Sequence, residues 1–183
     1  MSDVNEEIVR LFFENNDFLV KTNYPYKLNN VDSDIDLLVF NLYPAETKNK
    51  DIEFVIKDTK DLERITRASI EVKGWHGMNF TPSVLREFDR IFNFVCENAM
   101  NASKGFWKTD DFKTILVLSH LPVKESAYNE TIKILKEHKI DHVIEFKTII
   151  DFMVSKVEKN KNYGDSEFLQ TIRILKIYNE HFE

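Results

Sequence analysis

The sequence predicts a mixed α/β fold: an α/β sandwich whose central mixed sheet has about five strands, with helices on both faces. Residues 34–40 and 68–73 lie near one another in the chain and have the apolar patterns of sheet strands. From residue 81 onward helical and strand-like patterns alternate, which favours layers of helices on a sheet. With 183 residues, 43% of them hydrophobic, the chain can build the core of one domain.

Five helices are predicted from apolar residues that recur at helical spacing. The first follows Asp3, which is a suitable N-cap, and Glu6 then occupies the third helical position, as in a capping box. Glu6 therefore has a structural role available to it. Thr81 and Pro82 form the clearest helix start, because threonine caps well and proline suits the first turn. The predicted helices span residues 4–16, 81–102, about 126–136, about 148–159 and about 166–181.

Short apolar runs between turn residues predict the strands. The run from Leu37 to Phe40 is apolar on both faces, as expected for a strand covered on both sides. Asn29-Asn30 and Asp32-Ser33 indicate turns. Residues 43–67 read as a surface hairpin, with an extra strand at 52–56 and a helical turn at 61–65, although their six basic residues also suit contact with a phosphate backbone. The predicted strands span 18 to about 24, 34–40, 68–73, 115–118 and 142–146.

Composition narrows the functional classes. The single cysteine, Cys96, cannot form an internal disulfide, which favours a reducing, cytoplasmic location. We find no run of 18 apolar residues and no basic-then-apolar leader, so no membrane segment or secretory signal is expected. The net charge of −6 disfavours non-specific nucleic-acid binding, which depends on neutralising phosphates. No repeat or linker divides residues 1–183, so we expect one domain.

Acidic and basic residues fall on two strands that we expect to be neighbours. Glu71 and Lys73 share one face of their strand, because alternate residues point the same way. Asp36 lies at the start of the preceding strand, so pairing of the two strands brings two carboxylates and an ammonium group together. Such a group can hold a hard cation and activate water. Asp34 shares a face with Asp36 and is the alternative ligand.

This arrangement resembles the restriction-endonuclease-like, or PD-(D/E)xK, nuclease superfamily, in which an acid on the second core strand and Glu-x-Lys on the third form the site. The superfamily core is a helix, a three-strand meander, a helix and a further strand. The resemblance covers residues 4–119 and leaves 120–183 as a C-terminal α/β extension. The archaeal Holliday-junction resolvase and type IV restriction branches are nearest in pattern, because Glu6 lies in the first helix, 12 residues before Phe18.

The sequence also departs from the superfamily pattern. No proline precedes the acid, where Ser33 and Asp34 stand instead. Asp17 takes the place of the glycine expected before the first strand. Asp36 and Glu71 are 35 residues apart, which requires the insertion at 43–67.

The resemblance implies a Mg²⁺-dependent DNA endonuclease, with Mn²⁺ as a substitute ion and a homodimer as one arrangement. Asp36, Glu71 and the backbone carbonyl of Val72 would bind the ion, Lys73 would orient water, and Glu6 would hold a second ion or a water. The alternative is a catalytically inactive scaffold or protein-interaction domain, which the net charge of −6 favours. An enzyme of small phosphorylated substrates is a third hypothesis, for which we find no glycine-rich loop.

Two further Glu-x-Lys motifs compete with the one at 71–73. Residues 137–139 lie at a helix end, where a basic residue suits the helix dipole. Residues 145–147 lie at a strand end, but no acid-bearing strand precedes them as in a hairpin. Trp75 and His76 follow the 68–73 strand directly. Trp75 suits either stacking on a base or packing over the core edge, and His76 suits proton transfer, metal binding or a plain loop.

Overall fold

A computed structural model describes residues 3–45 and 52–179 of the chain. As predicted, the fold is mixed α/β, and the described residues form one sheet of six strands with helices packed around it. The strands are β1 (Phe18–Leu28), β2 (Val31–Asn41), β3 (Val55–Ile56), β4 (Arg67–Lys73), β5 (Lys113–Leu118) and β6 (His142–Glu145). The helices are α1 (Val4–Glu14), α2 (Thr59–Leu62), α3 (Pro82–Glu87), α4 (Glu97–Trp107), α5 (Glu125–Glu137), α6 (Phe146–Lys156) and α7 (Glu167–Tyr178), with a 3₁₀ helix at Asp89–Val95.

The sheet changes from antiparallel to parallel pairing at β4. Its strand order is β1-β2-β4-β5-β6-β3. β1, β2 and β4 pair antiparallel, whereas β5 pairs parallel to β4 and the sheet continues parallel through β6 to β3. The carboxyl ends of β4, β5 and β6 therefore lie at one edge of the sheet, and the chain enters β2 at that same edge.

Each face of the sheet carries its own core, as the alternation along β5 shows. Ile115 and Val117 belong to a core that includes apolar residues of α1, α6 and α7. Leu116 and Leu118 point the other way, into a core with residues of α3, the 3₁₀ helix and α5. Successive strand residues point to opposite faces, so a strand that is apolar throughout must be covered on both sides. Helices do cover both faces of this sheet.

The β1–β2 hairpin is longer than the sequence predicts. It reverses at Asn29 and Asn30, whose φ angles of 49° and 65° suit the two-residue turns that match strand twist. The turn predicted at Asp32-Ser33 is wrong: both residues lie within β2 and pair with β1. The Asn-Asn turn already reverses the chain, so the polar residues after it extend the strand.

The single helix predicted over residues 81–102 is also wrong. The chain forms α3, then the 3₁₀ helix, then α4, with extended backbone at Cys96 before α4 begins. Ile91 and Phe94 are fully buried, and their spacing of three residues keeps both on one side of a 3₁₀ helix. Core packing thus overrides the helical stripe in the sequence. Because the helix breaks, the 3₁₀ helix lies near the carboxyl end of β4, where residues of both elements line one pocket.

The surface hairpin predicted within residues 43–67 is wrong as well, because its strand joins the sheet. β3 pairs parallel with β6 at the sheet edge, and both of its residues are buried. The sheet accordingly has six strands where about five were predicted. Residues 46–51 of this segment, and residues 180–181 of the last predicted helix, lie outside the described residues. No helix within the described ranges is long and apolar enough to cross a bilayer.

Candidate active site

Strand register places the two predicted carboxylates beside one another. In the β2–β4 pairing Leu37 lies opposite Ile70, and the same antiparallel register continued by one pair sets Asp36 opposite Glu71. Opposed residues of an antiparallel pair project from the same face of the sheet. Asp36 and Glu71 both line one pocket at the edge where β4 ends. The structure therefore brings these two carboxylates together.

Hydrogen bonds fix the orientation of both carboxyl groups. The backbone N–H of Val72 donates to Oδ2 of Asp36 at 2.7 Å. The ammonium group of Lys73 donates to Oε1 of Glu71 and forms an ion pair with it. The side chain of Glu71 is 8% exposed and that of Lys73 is 19% exposed, so the pair is largely shielded from water. Shielding strengthens the electrostatic interactions among these charges.

A pocket of about 330 Å³ lies above this cluster. It opens at the sheet edge, between the β1–β2 hairpin and the 3₁₀ helix. Its lining is dominated by polar and charged side chains, with two aromatic residues. The lining residues are Tyr26, Ser33, Asp34, Asp36, Glu71, Lys73, Trp75, Arg90 and Asn93.

Burial and mutual repulsion disfavour the ionised forms of the acidic side chains in this pocket. Burial, and then the charge of Asp36, raise the pKa of Glu71 to about 8 despite the ion pair with Lys73. Burial also raises the pKa of Asp36, although Lys73 and the Val72 N–H oppose that shift. Asp34 lines the same pocket and its charge raises both pKa values. A divalent cation would relieve these costs.

Glu6 lies near the cluster without lining the pocket. It is half-buried in the first turn of α1, as the capping-box pattern predicts. Burial and then the charge of Asp36 raise the pKa of Glu6, while the Asp3 backbone N–H opposes the shift through a hydrogen bond. Glu6 thus caps the start of α1 through Asp3 and also lies close enough to Asp36 for their charges to interact.

The donor set of this pocket suits a hard divalent cation. Carboxylate oxygens are the protein ligands that Mg²⁺ prefers, usually one or two carboxylates with water completing the octahedron. The described residues contain no ready-made group of three or more His, Cys, Asp or Glu ligands. Asp36 and Glu71, which line the pocket from opposite strands, are the two residues that would hold an ion. The carbonyl of Val72 as a third ligand stays a prediction.

Residues 145–147 have structural partners away from this pocket. Oε1 of Glu145 accepts a hydrogen bond from the Leu121 backbone N–H at 2.8 Å. Lys147 forms an ion pair with Asp151 one turn along α6. Residues 137–139 lie at the end of α5, as predicted. Among the Glu-x-Lys motifs at 71–73, 137–139 and 145–147, the one at 71–73 alone lines the acidic pocket.

Trp75 and His76 diverge after β4. The ring of Trp75 stacks on Phe80 with centroids 5.3 Å apart, and it also lines the acidic pocket. His76 does not line that pocket; its Nε2 lies 2.8 Å from Oδ1 of Asn5, and its ring packs edge-on against Phe146. The contacts of Trp75 fit packing over the core edge, and those of His76 join α1 to α6.

Sequence reasoning missed the wall of the pocket that faces the sheet. Arg90 and Asn93 belong to the 3₁₀ helix, where residues three apart align on one side. The helix predicted over residues 81–102 assigned these two residues no role in the site. The signal available was the pair of short polar interruptions at Asp89-Arg90 and Asn93, between buried aromatic residues.

Gly74 allows α1 to approach the end of β4. A Cβ added at Gly74 would lie 2.3 Å from Cγ of Asn5, whereas one added at Gly77 would have no neighbour within 4 Å. We expect Gly74→Ala to lower the free energy of unfolding by about 1–3 kcal/mol, because the Asn5 side chain must leave its contacts. Urea unfolding at constant pH measures this change.

Gly77→Ala is the matched control and should leave the stability unchanged or slightly higher. Combining Gly74→Ala with Asn5→Ala removes the clashing atoms, so Gly74→Ala should cost less in that background. Equal stability of Gly74→Ala and Gly77→Ala would show that the contact is unimportant.

Comparisons of this chain with family models, with characterised proteins and with solved structures give no significant match.

Proposed function

We propose that this protein is a metal-dependent phosphodiester hydrolase that cleaves DNA, as members of the restriction-endonuclease-like superfamily do. The observation that carries the proposal is the opposition of Asp36 and Glu71 across two paired strands, with Lys73 next on the same face, in a single pocket. The topology adds support: a helix, three antiparallel strands (β1, β2 and β4, with β3 and α2 inserted between the last two), helical segments and then a parallel strand follow the order of the superfamily core.

Each residue of the cluster has a distinct task in this proposal. Asp36 and Glu71 would hold Mg²⁺, and the Val72 N–H keeps the Asp36 carboxylate pointing into the pocket. When bound, the ion supplies Lewis-acid polarisation of a phosphate oxygen and of water. Lys73 would orient the attacking water and stabilise negative charge that develops on the phosphate.

Electrostatics explain why a negatively charged chain can bind DNA at this site. The overall charge of −6 opposes broad contact with a phosphate backbone. Binding is therefore expected to be local, through the ion and the exposed cationic residue of the pocket, Arg90. This favours a substrate that presents one accessible phosphodiester, such as a strand end, a nick or a branch.

A cleavage assay tests the proposal. Purified protein is incubated with supercoiled plasmid, linear duplex, branched duplex and single-stranded oligonucleotide, each with Mg²⁺ and with EDTA. We expect cleavage of at least one substrate with Mg²⁺ and none with EDTA. Asp36→Asn should lose cleavage, whereas Asp32→Asn, which changes an exposed carboxylate on the same strand outside the pocket, should retain it.

Failure of the assay points to the alternative function. The phosphodiesterase proposal is wrong if wild-type protein cleaves none of these substrates and shows no Glu71-dependent binding of Mn²⁺. Calorimetric titration would then give either no heat of binding or the same heat for wild-type protein and Glu71→Gln. A scaffold or protein-interaction domain would then be the better account of the same fold.

A further inference from the structure

We infer that Arg90 forms a phosphate-binding subsite at the mouth of the acidic pocket, one that holds a nucleotide phosphate next to the scissile one. The identity of the ligand as a nucleic-acid phosphate rests on the proposed function, whereas the anion site itself rests on the geometry of Arg90. This subsite supplies the positive charge for substrate binding that the overall composition lacks.

The position of Arg90 is set by aromatic rings. Its guanidinium carbon lies 5.8 Å from the ring centroid of Trp75 and 5.8 Å from that of Phe88. A cation within about 6 Å of an aromatic face is attracted by the ring. Trp75 is itself fixed by stacking on Phe80. Arg90 is thus exposed but pre-oriented, which lowers the entropic cost of binding a ligand.

Among the described residues, no carboxylate neutralises the charge of Arg90. Asp34, Asp36 and Glu71 line the same pocket, yet no ion pair joins Arg90 to a carboxylate among the described residues. The acids thus remain available for a cation and Arg90 for an anion, which is the separation that a metal-dependent phosphate site needs. Guanidinium groups match phosphate oxygens with paired N–H donors.

Neighbouring groups complete a site for one nucleotide. Asn93 lines the pocket one 3₁₀ turn beyond Arg90 and offers an amide donor and acceptor. The volume of about 330 Å³ is at the lower end for small-ligand pockets, so the pocket has room for a single nucleotide and none for a duplex groove. The substrate class is therefore a DNA end or an unpaired nucleotide.

Calorimetric titration with thymidine 3′,5′-bisphosphate in the presence of Ca²⁺ tests this subsite. The probe carries two phosphate monoesters and no phosphodiester, so the proposed hydrolase has no bond to cleave in it. We expect wild-type protein to bind one molecule and Arg90→Ala to bind about tenfold or more weakly, because charged hydrogen bonds are lost. Arg90→Lys should fall between them, since lysine keeps the charge without the planar donors.

Arg86→Ala is the matched control, because Arg86 is an exposed arginine of α3 that pairs with Glu130 outside the pocket. It should bind the probe as wild-type protein does. Absence of binding by wild-type protein, or equal affinity of wild type and Arg90→Ala, would overturn the inference. Near-UV circular dichroism confirms that each variant keeps its tertiary structure.

The DNA cleavage assay separates this inference from the proposed function. If the probe binds in an Arg90-dependent way while no DNA is cleaved, the subsite stands and the hydrolase proposal fails. If wild-type protein cleaves DNA and Arg90→Ala cleaves it with unchanged KM, the hydrolase proposal stands and the subsite is wrong.

Discussion

The metal-free protein is expected to lose stability as the pH rises from 4.5 to 8, and Glu71→Gln is expected to remove most of that loss. The folded state raises the pKa of Glu71 from its ordinary value of 4.5 to about 8, so between these values the folded protein binds a proton that the unfolded chain has released. The contribution of Glu71 to stability therefore falls with rising pH across this window, and is fully present below pH 4.5. Asp36 acts in the same direction, because its pKa is raised too.

The expected size is large for a single side chain. A shift of one pKa unit corresponds to about 1.4 kcal/mol, so the shift of Glu71 from 4.5 to about 8 corresponds to roughly 5 kcal/mol as an upper limit, reached above pH 8. Thermal unfolding in EDTA across the pH window measures the slope. Glu158→Gln, which changes an exposed carboxylate, should keep the slope of wild-type protein.

A divalent ion should oppose the same loss. An ion that binds only the folded protein stabilises it by RT ln(1 + c/Kd), where c is the free ion concentration. Mg²⁺ or Mn²⁺ is therefore expected to raise the melting temperature most at pH 8, and to raise it little in Glu71→Gln. A flat pH profile for wild-type protein in EDTA, or the same slope in Glu71→Gln, would contradict the assignment of Glu71 as a strained buried acid.

Lys73→Ala is expected to lower the rate constant of DNA cleavage by about 100-fold or more, the range expected when a group that positions water or a proton is removed. Lys73 is the ammonium group of the acidic cluster and has 19% of its side chain exposed. Its loss removes a charge that acts in the transition state, so kcat should fall while KM changes little. Single-turnover cleavage with saturating Mg²⁺ measures this effect.

Two controls separate this role from a structural one. Lys27→Ala removes an exposed lysine that pairs with Asp32 on the β1–β2 hairpin, and should leave the rate unchanged. Mn²⁺ binding by Lys73→Ala, measured by calorimetry, should persist because both carboxylates remain. If Lys73→Ala cleaves DNA at the wild-type rate, Lys73 is only the partner of Glu71.

The sequence predicted the positions of the main strands because strong local signals mark them. The apolar runs of β2 and β5 are too apolar for any other position, and the alternation in β4 separates Glu71 and Lys73 from Ile70 and Val72. The convergence of Asp36 on Glu71 followed from that alternation and from antiparallel pairing. Its catalytic use stays a prediction.

The 3₁₀ helix and β3 escaped prediction because long-range packing forms them. Phe94 belongs to the 3₁₀ helix and is fully buried, and this packing interrupts the single helix that the sequence predicts over residues 81–102. β3 exists because Val55 and Ile56 find partners on β6, about 88 residues later in the chain. Arg90 was missed for the same reason, since its place in the pocket depends on where the helix breaks.

At β4 the sheet changes from antiparallel to parallel pairing, and this change separates the paired strands that hold the acids from the connection that leaves β4. Asp36 and Glu71 lie on two interior strands of the sheet, and the Val72 N–H holds the Asp36 carboxylate in place, so a change there disturbs the sheet. The connection that leaves β4, residues 74–81, lies outside the ladder, and its Trp75 lines the pocket. Exchanging the residues after Gly74 in this connection is therefore a direct way to redesign which ligand enters while leaving the paired acids in place.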